Sequence, residues 1–210
     1  MPNWVFNSLC VSGEPESITK VKEKLNQPVT KMIDEYNFET KEYTQREITK
    51  SNPIISFWNI IAPTNLEAYA KQPTYNASFE EMLNGAGDDW YSWNNRNWGT
   101  KWDVGKWDDE EYSDTEILDE GSGFIIYRFN TAWSPPFPVI QTLSKQYPEL
   151  VVDLEYEEEG GWGGEITFKN GEIIDQKEYE NRCSECDRYD TMEWNEEDGI
   201  EKCKECGYEW

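Results

Sequence analysis

Four cysteines near the end of the sequence have the types and the spacing of metal ligands. They form two C-x2-C pairs, and the sixteen residues between the pairs suit a short antiparallel ribbon that brings four thiolates to one tetrahedral zinc ion. The sequence contains no histidine, so every ligand would be a thiolate, and a closed four-thiolate site leaves no position open for catalysis. We therefore predict a structural Zn²⁺ site, with two disulfides or unligated thiols as the alternatives, at Cys183, Cys186, Cys203 and Cys206.

The two cysteine pairs differ in the residue that follows them. Gly207 follows the second pair, and a glycine at this position allows the chain to turn tightly around a bound ion. Asp187 follows the first pair, where this conformational freedom is absent. The sequence therefore predicts a regular second turn and a less typical first turn.

A second group of candidate residues is rich in tryptophan. Residues 90–103 interleave aromatic rings with amide and charged side chains, which could stack on a base or sugar and form hydrogen bonds with its edge. Tryptophan also fills cores in which aliphatic residues are scarce, so burial in the core is the alternative for this segment. The candidate ligand or partner residues are Trp90, Trp93, Asn97, Trp98, Lys101, Trp102, Asp103 and Trp133.

The negative charge of the chain is concentrated in its second half. Residues 1–107 contain 14 acidic and 11 basic side chains, whereas residues 108–210 contain 29 acidic and 8 basic ones. Such a surface repels phosphates, so we expect no direct binding of nucleic acid. One interpretation is that the charge keeps an aromatic-rich protein in solution. The other is that rows of carboxylates imitate a phosphate backbone and bind a basic groove of a partner protein.

The second interpretation assigns the partner surface to three acidic segments. They lie at residues 108–111, at residues 157–159 and between the two cysteine pairs at residues 196–198. The candidate residues are Asp108, Asp109, Glu110, Glu111, Glu157, Glu158, Glu159, Glu196, Glu197 and Asp198.

Enzymatic chemistry has little support in the pattern of residues. Without histidine the sequence lacks the commonest general base, and it contains no G-x-S-x-G motif. Paired carboxylates could hydrolyse a bond or hold Mg²⁺, but with 43 acidic residues such pairs are expected by chance. The glycine-rich run 160–164 lacks the lysine of a phosphate-binding loop and is predicted to be a hairpin turn. We therefore identify no catalytic residues.

The elements that must position these residues begin with a strand. Residues 4–12 alternate as a strand, with Cys10 as a small core side chain, and residues 18–25 carry the apolar stripe of a helix. Residues 31–50 are polar and are predicted to form a second, exposed helix. Residues 54–61, which are bounded by prolines, are predicted to form a second strand.

Later elements continue the alternation of strands and helices. Residues 124–129 form a strand, and Ser134 caps a helix that starts with two prolines and ends at Tyr147. Residues 150–156 alternate as a half-buried strand. Residues 166–174 form a hairpin around an Asn-Gly turn.

This order of elements is typical of ferredoxin-like folds. We predict an α+β protein with an antiparallel sheet and helices on one face at residues 1–176. A tryptophan-rich insertion interrupts this domain at about residues 64–120, and a small four-cysteine zinc ribbon follows at residues 177–210.

Several short motifs, taken together, resemble a known family. They are MPNW at 1–4 with VSG at 11–13, NWGTKWD at 97–103, FNTAWSPP at 129–136 and LEYE at 154–157. Over about residues 1–175 the chain resembles the Api-like (YubB-like) ferredoxin-like domain family of phage and plasmid proteins. The resemblance implies a ferredoxin-like fold and an origin in a mobile element, and it implies no particular reaction. The acidic ribbon lies outside the pattern of this family.

The expected location is the cytoplasm of a host cell. No segment approaches the roughly 20 apolar residues that cross a bilayer, so we expect no contact with a membrane. The first residues lack the basic and apolar regions of a signal peptide, and reduced cysteines are typical of a cytosol.

The expected function combines the acidic surface with the resemblance. We expect a phage or mobile-element accessory protein that acts as a DNA mimic and inhibits a host nucleic-acid-directed protein with a basic groove, in an anti-defence or transcription-directed role. One alternative is a protein that binds or sequesters a small ligand, such as a nucleotide, in a tryptophan-rich pocket. Another is a metal-dependent hydrolase that uses acidic residues.

Overall fold

The computed structural model describes residues 2–71, 89–109, 115–196 and 199–209, and its centre is a six-stranded antiparallel sheet. The elements in chain order are β1 (Trp4–Ser12), α1 (Pro15–Leu25), β2 (Val29–Asn37), β3 (Glu42–Lys50), a 3-10 turn (Phe57–Asn59), α2 (Leu66–Tyr69), α3 (Trp90–Asn97), β4 (Glu116–Gly121), β5 (Phe124–Ala132), α4 (Phe137–Gln146), β6 (Val151–Glu158), β7 (Gly163–Lys169), β8 (Glu172–Tyr179), β9 (Met192–Asn195) and β10 (Ile200–Cys203). None of the helices in this part of the chain is long and apolar enough to span a membrane.

Four strands and two helices form a ferredoxin-like unit. The strands lie in the order β4-β5-β1-β6, with α1 following β1 and α4 following β5 along the chain. This is the split βαβ arrangement of ferredoxin-like folds, so the predicted fold class is confirmed. Strands β7 and β8 extend the sheet beyond β6.

The hydrophobic core lies between one face of the sheet and the helices α1 and α4. Alternate residues of β1, from Val5 to Val11, are buried on this face, because the side chains of a strand alternate between its two faces. The stripe predicted for α1 is buried, and α4 contributes three further apolar side chains. The buried apolar residues of the two helices are Ile18, Val21, Leu25, Val139, Ile140 and Leu143.

Residues 31–50, predicted as a helix, instead lie in the hairpin β2–β3. The two strands pair only with each other and form a sheet separate from the main one. Towards the tip of the hairpin the rings of Tyr36, Phe38 and Tyr43 contact one another and remain exposed. Over most of their length both strands are exposed, and buried residues are confined to the end of the hairpin at Val29, Ile48 and Lys50, so the sequence shows no apolar alternation that would indicate a strand.

The strand predicted at residues 54–61 is absent, and β4 is the second strand of the unit. The segment contains the 3-10 turn instead, and Ile55, Phe57 and Ile60 are buried in the core. A short apolar run does not distinguish a strand from an irregular buried segment. The insertion between α1 and β4 therefore runs from about residue 26 to residue 115.

Two local predictions are also wrong. Ser134 donates its hydroxyl to the Gly99 carbonyl oxygen at 2.5 Å and does not cap α4, whose N-cap residue is Pro136. Cys10 is half-buried on the face of the sheet that points away from the core, opposite Asp153. Burial, together with this carboxylate, raises the pKa of the Cys10 thiol, so the reactive thiolate form is disfavoured.

The ribbon consists of β9, β10 and the turns that carry the cysteines. Strand β8 extends the main sheet to Tyr179, three residues past the predicted boundary at residue 176. The ring of Tyr179 stacks on that of Tyr189, with 4.0 Å between the ring centroids. Arg182 forms an ion pair with Glu157 of β6 at 2.5 Å. These contacts attach the ribbon to the end of the sheet.

Candidate functional site

The four predicted cysteine ligands converge in the ribbon. Their Sγ atoms all lie within 4.8 Å of one another. The Sγ atoms of Cys183 and Cys206 are 3.6 Å apart, and those of Cys186 and Cys203 are 3.7 Å apart. Four thiolates at about 2.3 Å from a tetrahedral ion would be about 3.8 Å apart, whereas a disulfide bond is only about 2.05 Å long. The thiols thus have the arrangement of a metal site and not of two disulfides.

The two turns around the cysteines have the same geometry. In each turn the fourth residue after the first cysteine donates its N–H to the carbonyl oxygen of that cysteine at 2.9 Å. Asp187 adopts a left-handed φ of 56°, and Gly207 has a φ of 76°. Aspartate tolerates this region better than most residues, and the Asp187 carboxylate accepts a hydrogen bond from Arg182 at 2.9 Å. The first turn is therefore regular, in contrast to the prediction.

A cavity of about 450 Å³ opens between the hairpin β2–β3, the tryptophan-rich segment and the ends of β1 and β5. We call it the aromatic cavity, because five rings contribute to its lining. Polar groups on its wall come from Asn94, Asn130 and Thr131 among others. The aromatic lining residues are Trp4, Tyr69, Trp90, Trp102 and Trp107.

Lys31 brings an ammonium group to the aromatic cavity. Its Nζ lies 4.7 Å from the ring centroid of Trp107, 5.4 Å from that of Trp58 and 5.6 Å from that of Tyr69. Among the described residues no carboxylate forms an ion pair with it. Burial lowers the pKa of Lys31 to about 8, with Asp103 opposing this shift and Lys50 adding to it.

Asp103, in contrast, is held in a buried ion pair. Its Oδ2 lies 3.0 Å from Nζ of Lys50, and the two side chains are 3% and 0% exposed. The carboxylate also accepts hydrogen bonds from the hydroxyl of Ser56 and from the backbone N–H groups of Phe57 and Val104. Four donors thus bind this carboxylate, which joins β3, the 3-10 turn and the tryptophan-rich segment.

The predicted ligand or partner residues are distributed over several environments. Trp90, Trp102 and Asp103 line the aromatic cavity. Trp98 is fully buried in the core, and its indole N–H donates to the Ile61 carbonyl oxygen at 3.0 Å. This residue therefore follows the alternative interpretation, in which tryptophan fills the core.

The remaining predicted residues have other contacts. Lys101 places its Nζ 4.4 Å from the ring centroid of Trp102 and 4.7 Å from that of Trp133. Trp93 packs against the core, and the amide of Asn97 donates to its carbonyl oxygen within α3. The residues that line the aromatic cavity include none of these four side chains: Trp93, Asn97, Lys101 and Trp133.

Among the lining residues that were not predicted from the sequence, four carry an aromatic ring or a positive charge. They are Trp4, Lys31, Tyr69 and Trp107. They come from β1, β2, α2 and the segment after α3, and no local pattern connects positions so far apart in the chain. The aromatic types of three of them were the only signal, and that signal is shared by many core residues.

The predicted acidic partner surface is not continuous among the described residues. Asp108 accepts hydrogen bonds from the backbone and hydroxyl of Ser51, and Asp109 binds Arg46 at 2.7 Å, so both anchor the hairpin β2–β3. These contacts lower the pKa of both carboxyl groups. Glu158 lies on the core face and is only 5% exposed, so it is not available to a partner.

The other acidic candidates lie in three places. Glu157 pairs with Arg182, Glu159 accepts a hydrogen bond from the backbone N–H of Trp4, and Glu196 is exposed on the ribbon. Four candidates lie outside the described residues: Glu110, Glu111, Glu197 and Asp198.

A different acidic array lies on the face of the sheet that points away from the core. We call it the acidic strip, and it is formed by Asp153, Glu155 and Glu157 of β6, Glu165 of β7 and Asp175 of β8. Glu155 stands directly opposite Glu165 in the register of the two strands. Like charges in directly opposite positions destabilise a sheet. Lys177, which is opposite Glu165, supplies one positive charge beside the strip.

Comparisons with known proteins support the fold. Residues 101–204 match the family model described as a ferredoxin-like domain in Api92-like protein. The crystal structure of the protein api92 from Yersinia pseudotuberculosis has a TM-score of 0.56 and 11% identity, and the alignment covers 87% of this chain and 100% of that one. A search of curated proteins gave no match.

The family match begins at residue 101, and the expectation that the ribbon lies outside the pattern of the family is wrong. The match continues to residue 204 and so includes most of the four-cysteine ribbon as well as strands β4 to β8. At 11% identity, the likeness to the crystal structure concerns the fold alone. At residues 101–204 this chain is therefore similar to the ferredoxin-like domain of Api92-like proteins.

Proposed function

We propose that this protein binds a small planar ligand in the aromatic cavity. The observation that carries the proposal is the cavity itself, about 450 Å³ in volume and lined by four tryptophan rings and one tyrosine ring. Small-molecule sites are concave, mostly apolar and lined by aromatic side chains with a few polar groups, and their volumes are about 300–1,000 Å³. The planar faces of these rings suit a base or another flat ring system.

The state of the lining residues supports a binding role. Trp102 is 40% exposed although it is large and apolar, and its ring centroid lies 6.1 Å from that of Trp4. A tryptophan that only fills the core is buried, as Trp98 is. The amide group of Asn130 lies on the same wall and supplies a polar contact for the edge of a flat ligand.

Binding can be tested with two matched pairs of planar compounds, adenosine with adenosine monophosphate and indole-3-acetamide with indole-3-acetate. We expect at least one compound to bind to the full-length chain in isothermal titration calorimetry. Trp102→Leu removes one wall, and because stacking on an aromatic ring contributes about 1–3 kcal/mol per base, we expect its Kd to rise about fivefold or more.

The matched control is Trp194→Leu, since Trp194 is 62% exposed on the ribbon and outside the cavity. It should bind as the unmodified protein does. The proposal fails if none of the four compounds binds, or if Trp102→Leu binds them as tightly as Trp194→Leu.

A second candidate function is the inhibition of a host protein that has a basic groove, in the cytoplasm. The acidic strip supports it, because Glu155 and Glu165 stand opposite each other at a cost in stability that binding of a cationic partner would offset. Association through exposed carboxylates of this kind is fast and weakens with salt.

This candidate predicts that the double variant Glu155→Gln, Glu165→Gln loses a partner without losing stability. The immobilised protein and the variant are incubated with nuclease-treated host lysate, and bound proteins are released by raising the salt from about 50 to about 500 mM. A basic nucleic-acid-directed protein retained by the unmodified chain should be absent from the variant. The variant should unfold at the same or a higher temperature, because a like-charge pair is removed.

A second double variant, Glu16→Gln with Glu23→Gln, controls for the loss of two negative charges. Both residues belong to α1, on the opposite side of the sheet. This variant should retain the same partner. Capture that is insensitive to salt, or that is lost equally in both double variants, argues against this candidate.

We also propose that the ion in the four-cysteine site is Zn²⁺ with a structural role. Four thiolates in a tetrahedral set are typical of structural zinc, and they close the site to substrates.

A further inference from the structure

We propose that the ligand of the aromatic cavity is an anion, a planar compound whose phosphate or carboxylate group binds the ammonium group of Lys31. This inference rests on the proposed function, because it specifies the chemistry of a ligand in the same cavity. It concerns only the charge of that ligand.

The ammonium group of Lys31 has aromatic neighbours and no carboxylate partner among the described residues. It is surrounded by the rings of Trp58, Tyr69 and Trp107. Lys31 is half-buried, and a charge that is partly withdrawn from water is more stable when an opposite charge lies beside it. Lys50, the neighbouring buried cation, differs in this respect, because it forms an ion pair with Asp103. Lys31 is thus a positive charge that lacks an anion.

Asp103, the carboxylate whose charge acts on Lys31, already has other partners. Asp103 lines the cavity, but it binds Lys50 and three further donors. It attracts Lys31 only at longer range, which is consistent with the net lowering of the pKa of Lys31. A ligand that supplies a negative group beside Nζ would complete the pairing. Charge-assisted hydrogen bonds of this kind are short and strong.

An alternative is that the three rings satisfy Lys31 without any ligand, through cation–π attraction. Such contacts contribute about 0.5–2 kcal/mol and occur in many proteins. This alternative predicts that ligands bind without regard to their charge. The matched pairs of compounds distinguish the two, because each pair differs in the anionic group and shares the same ring system.

We expect adenosine monophosphate or indole-3-acetate to bind about 10- to 100-fold more tightly than its neutral counterpart, the range that a hydrogen bond to a charged group contributes. The preference should disappear in Lys31→Met. It should persist in Lys31→Arg, which keeps the charge, and in Lys169→Met, which removes one exposed lysine of β7 outside the cavity. Thermal unfolding of each variant shows that it is folded.

The outcomes distinguish the proposal that the cavity binds a planar ligand from the inference that this ligand is an anion. Equal binding of charged and neutral compounds overturns the anion inference and leaves the proposed function intact. A charge preference that survives in Lys31→Met overturns the assignment to Lys31. Failure of all four compounds to bind overturns both proposals. A preference confined to adenosine monophosphate identifies a phosphate, and one confined to indole-3-acetate identifies a carboxylate.

The pH dependence supplies an independent readout. Because burial lowers the pKa of Lys31 to about 8, the free protein loses this charge as the pH rises through that value. The affinity for the anionic compound should therefore fall between pH 7 and pH 10, while that for its neutral counterpart stays constant. The other titratable groups that face Lys31 or its cavity are Asp34, Lys50, Tyr69 and Asp103. Burial raises the pKa of Tyr69, so the hydroxyl of this residue stays neutral between pH 7 and pH 10. A fall of the same size in Lys31→Met would contradict the assignment.

Discussion

Replacing Cys183 with serine is expected to remove bound zinc from the purified protein and to unfold the ribbon that follows Tyr179. The ribbon has few apolar contacts of its own, and Cys183 and Cys203 are among its most deeply buried side chains. Apparent binding free energies of structural zinc in small zinc-finger peptides are about 10–16 kcal/mol, so loss of the ion removes most of the stability of such a module. Elemental analysis should give about one zinc per chain for the unmodified protein and far less for the variant.

The matched control is Cys10→Ser, the same chemical change on the open face of the sheet. It should retain zinc, since Cys10 lies outside the cluster of four thiols. Limited proteolysis after treatment with a chelator should cleave the ribbon and spare the main sheet, whose core is formed by other residues. A ribbon that resists the protease after the metal has been removed would contradict a structural role for the ion.

Replacing Asp103 with asparagine is expected to destabilise the protein by about 3–5 kcal/mol, because it leaves the ammonium group of Lys50 buried without its counter-ion. Lys50 is 0% exposed and Asp103 is 3% exposed, so water cannot replace the missing charge. The measurement is urea-induced unfolding followed by circular dichroism. The double variant Asp103→Leu, Lys50→Met should recover part of the loss, because no buried charge then remains unpaired.

Asp109→Asn is the control for this prediction. Asp109 also pairs with a basic residue, Arg46, but both side chains are substantially exposed. Solvent screens an exposed pair, so the change in the free energy of unfolding should be much smaller. Equal destabilisation by the two substitutions would show that burial of the Asp103 carboxylate is not the cause.

The parts of this protein that follow local patterns could be predicted from its sequence. The spacing of the cysteines identified the four thiols that converge, because each C-x2-C pair lies within one turn. Strands β1, β5 and β6 have one buried face and therefore show an alternation of apolar residues, and the hairpin β7–β8 contains its own turn signal, Asn170 and Gly171, both with positive φ. In each case the residues that decide the structure are close together in the chain.

Other parts were decided by tertiary contacts. The hairpin β2–β3 pairs only with itself and has no extended buried face, so its polar residues suggested a helix. Strand β4 is an edge strand, and its acidic composition does not predict a strand of the sheet. The segment at residues 54–61 is apolar, and its composition predicts a strand that the structure does not contain. The identity of the second strand depends on which segment pairs with β5, and the composition of a segment does not contain that information.

The aromatic cavity shows most clearly which features depend on the local sequence and which depend on tertiary contacts. The sequence by itself determined that the chain is rich in tryptophan, lacks histidine and carries a four-thiolate motif. Only the tertiary structure decided that Trp98 fills the core while Trp102 lines a cavity, and that Lys31 meets rings from two distant segments. The physical reason is that burial and pairing of a side chain depend on neighbours brought together by the packing of the insertion onto the sheet, whereas its type and spacing are local properties.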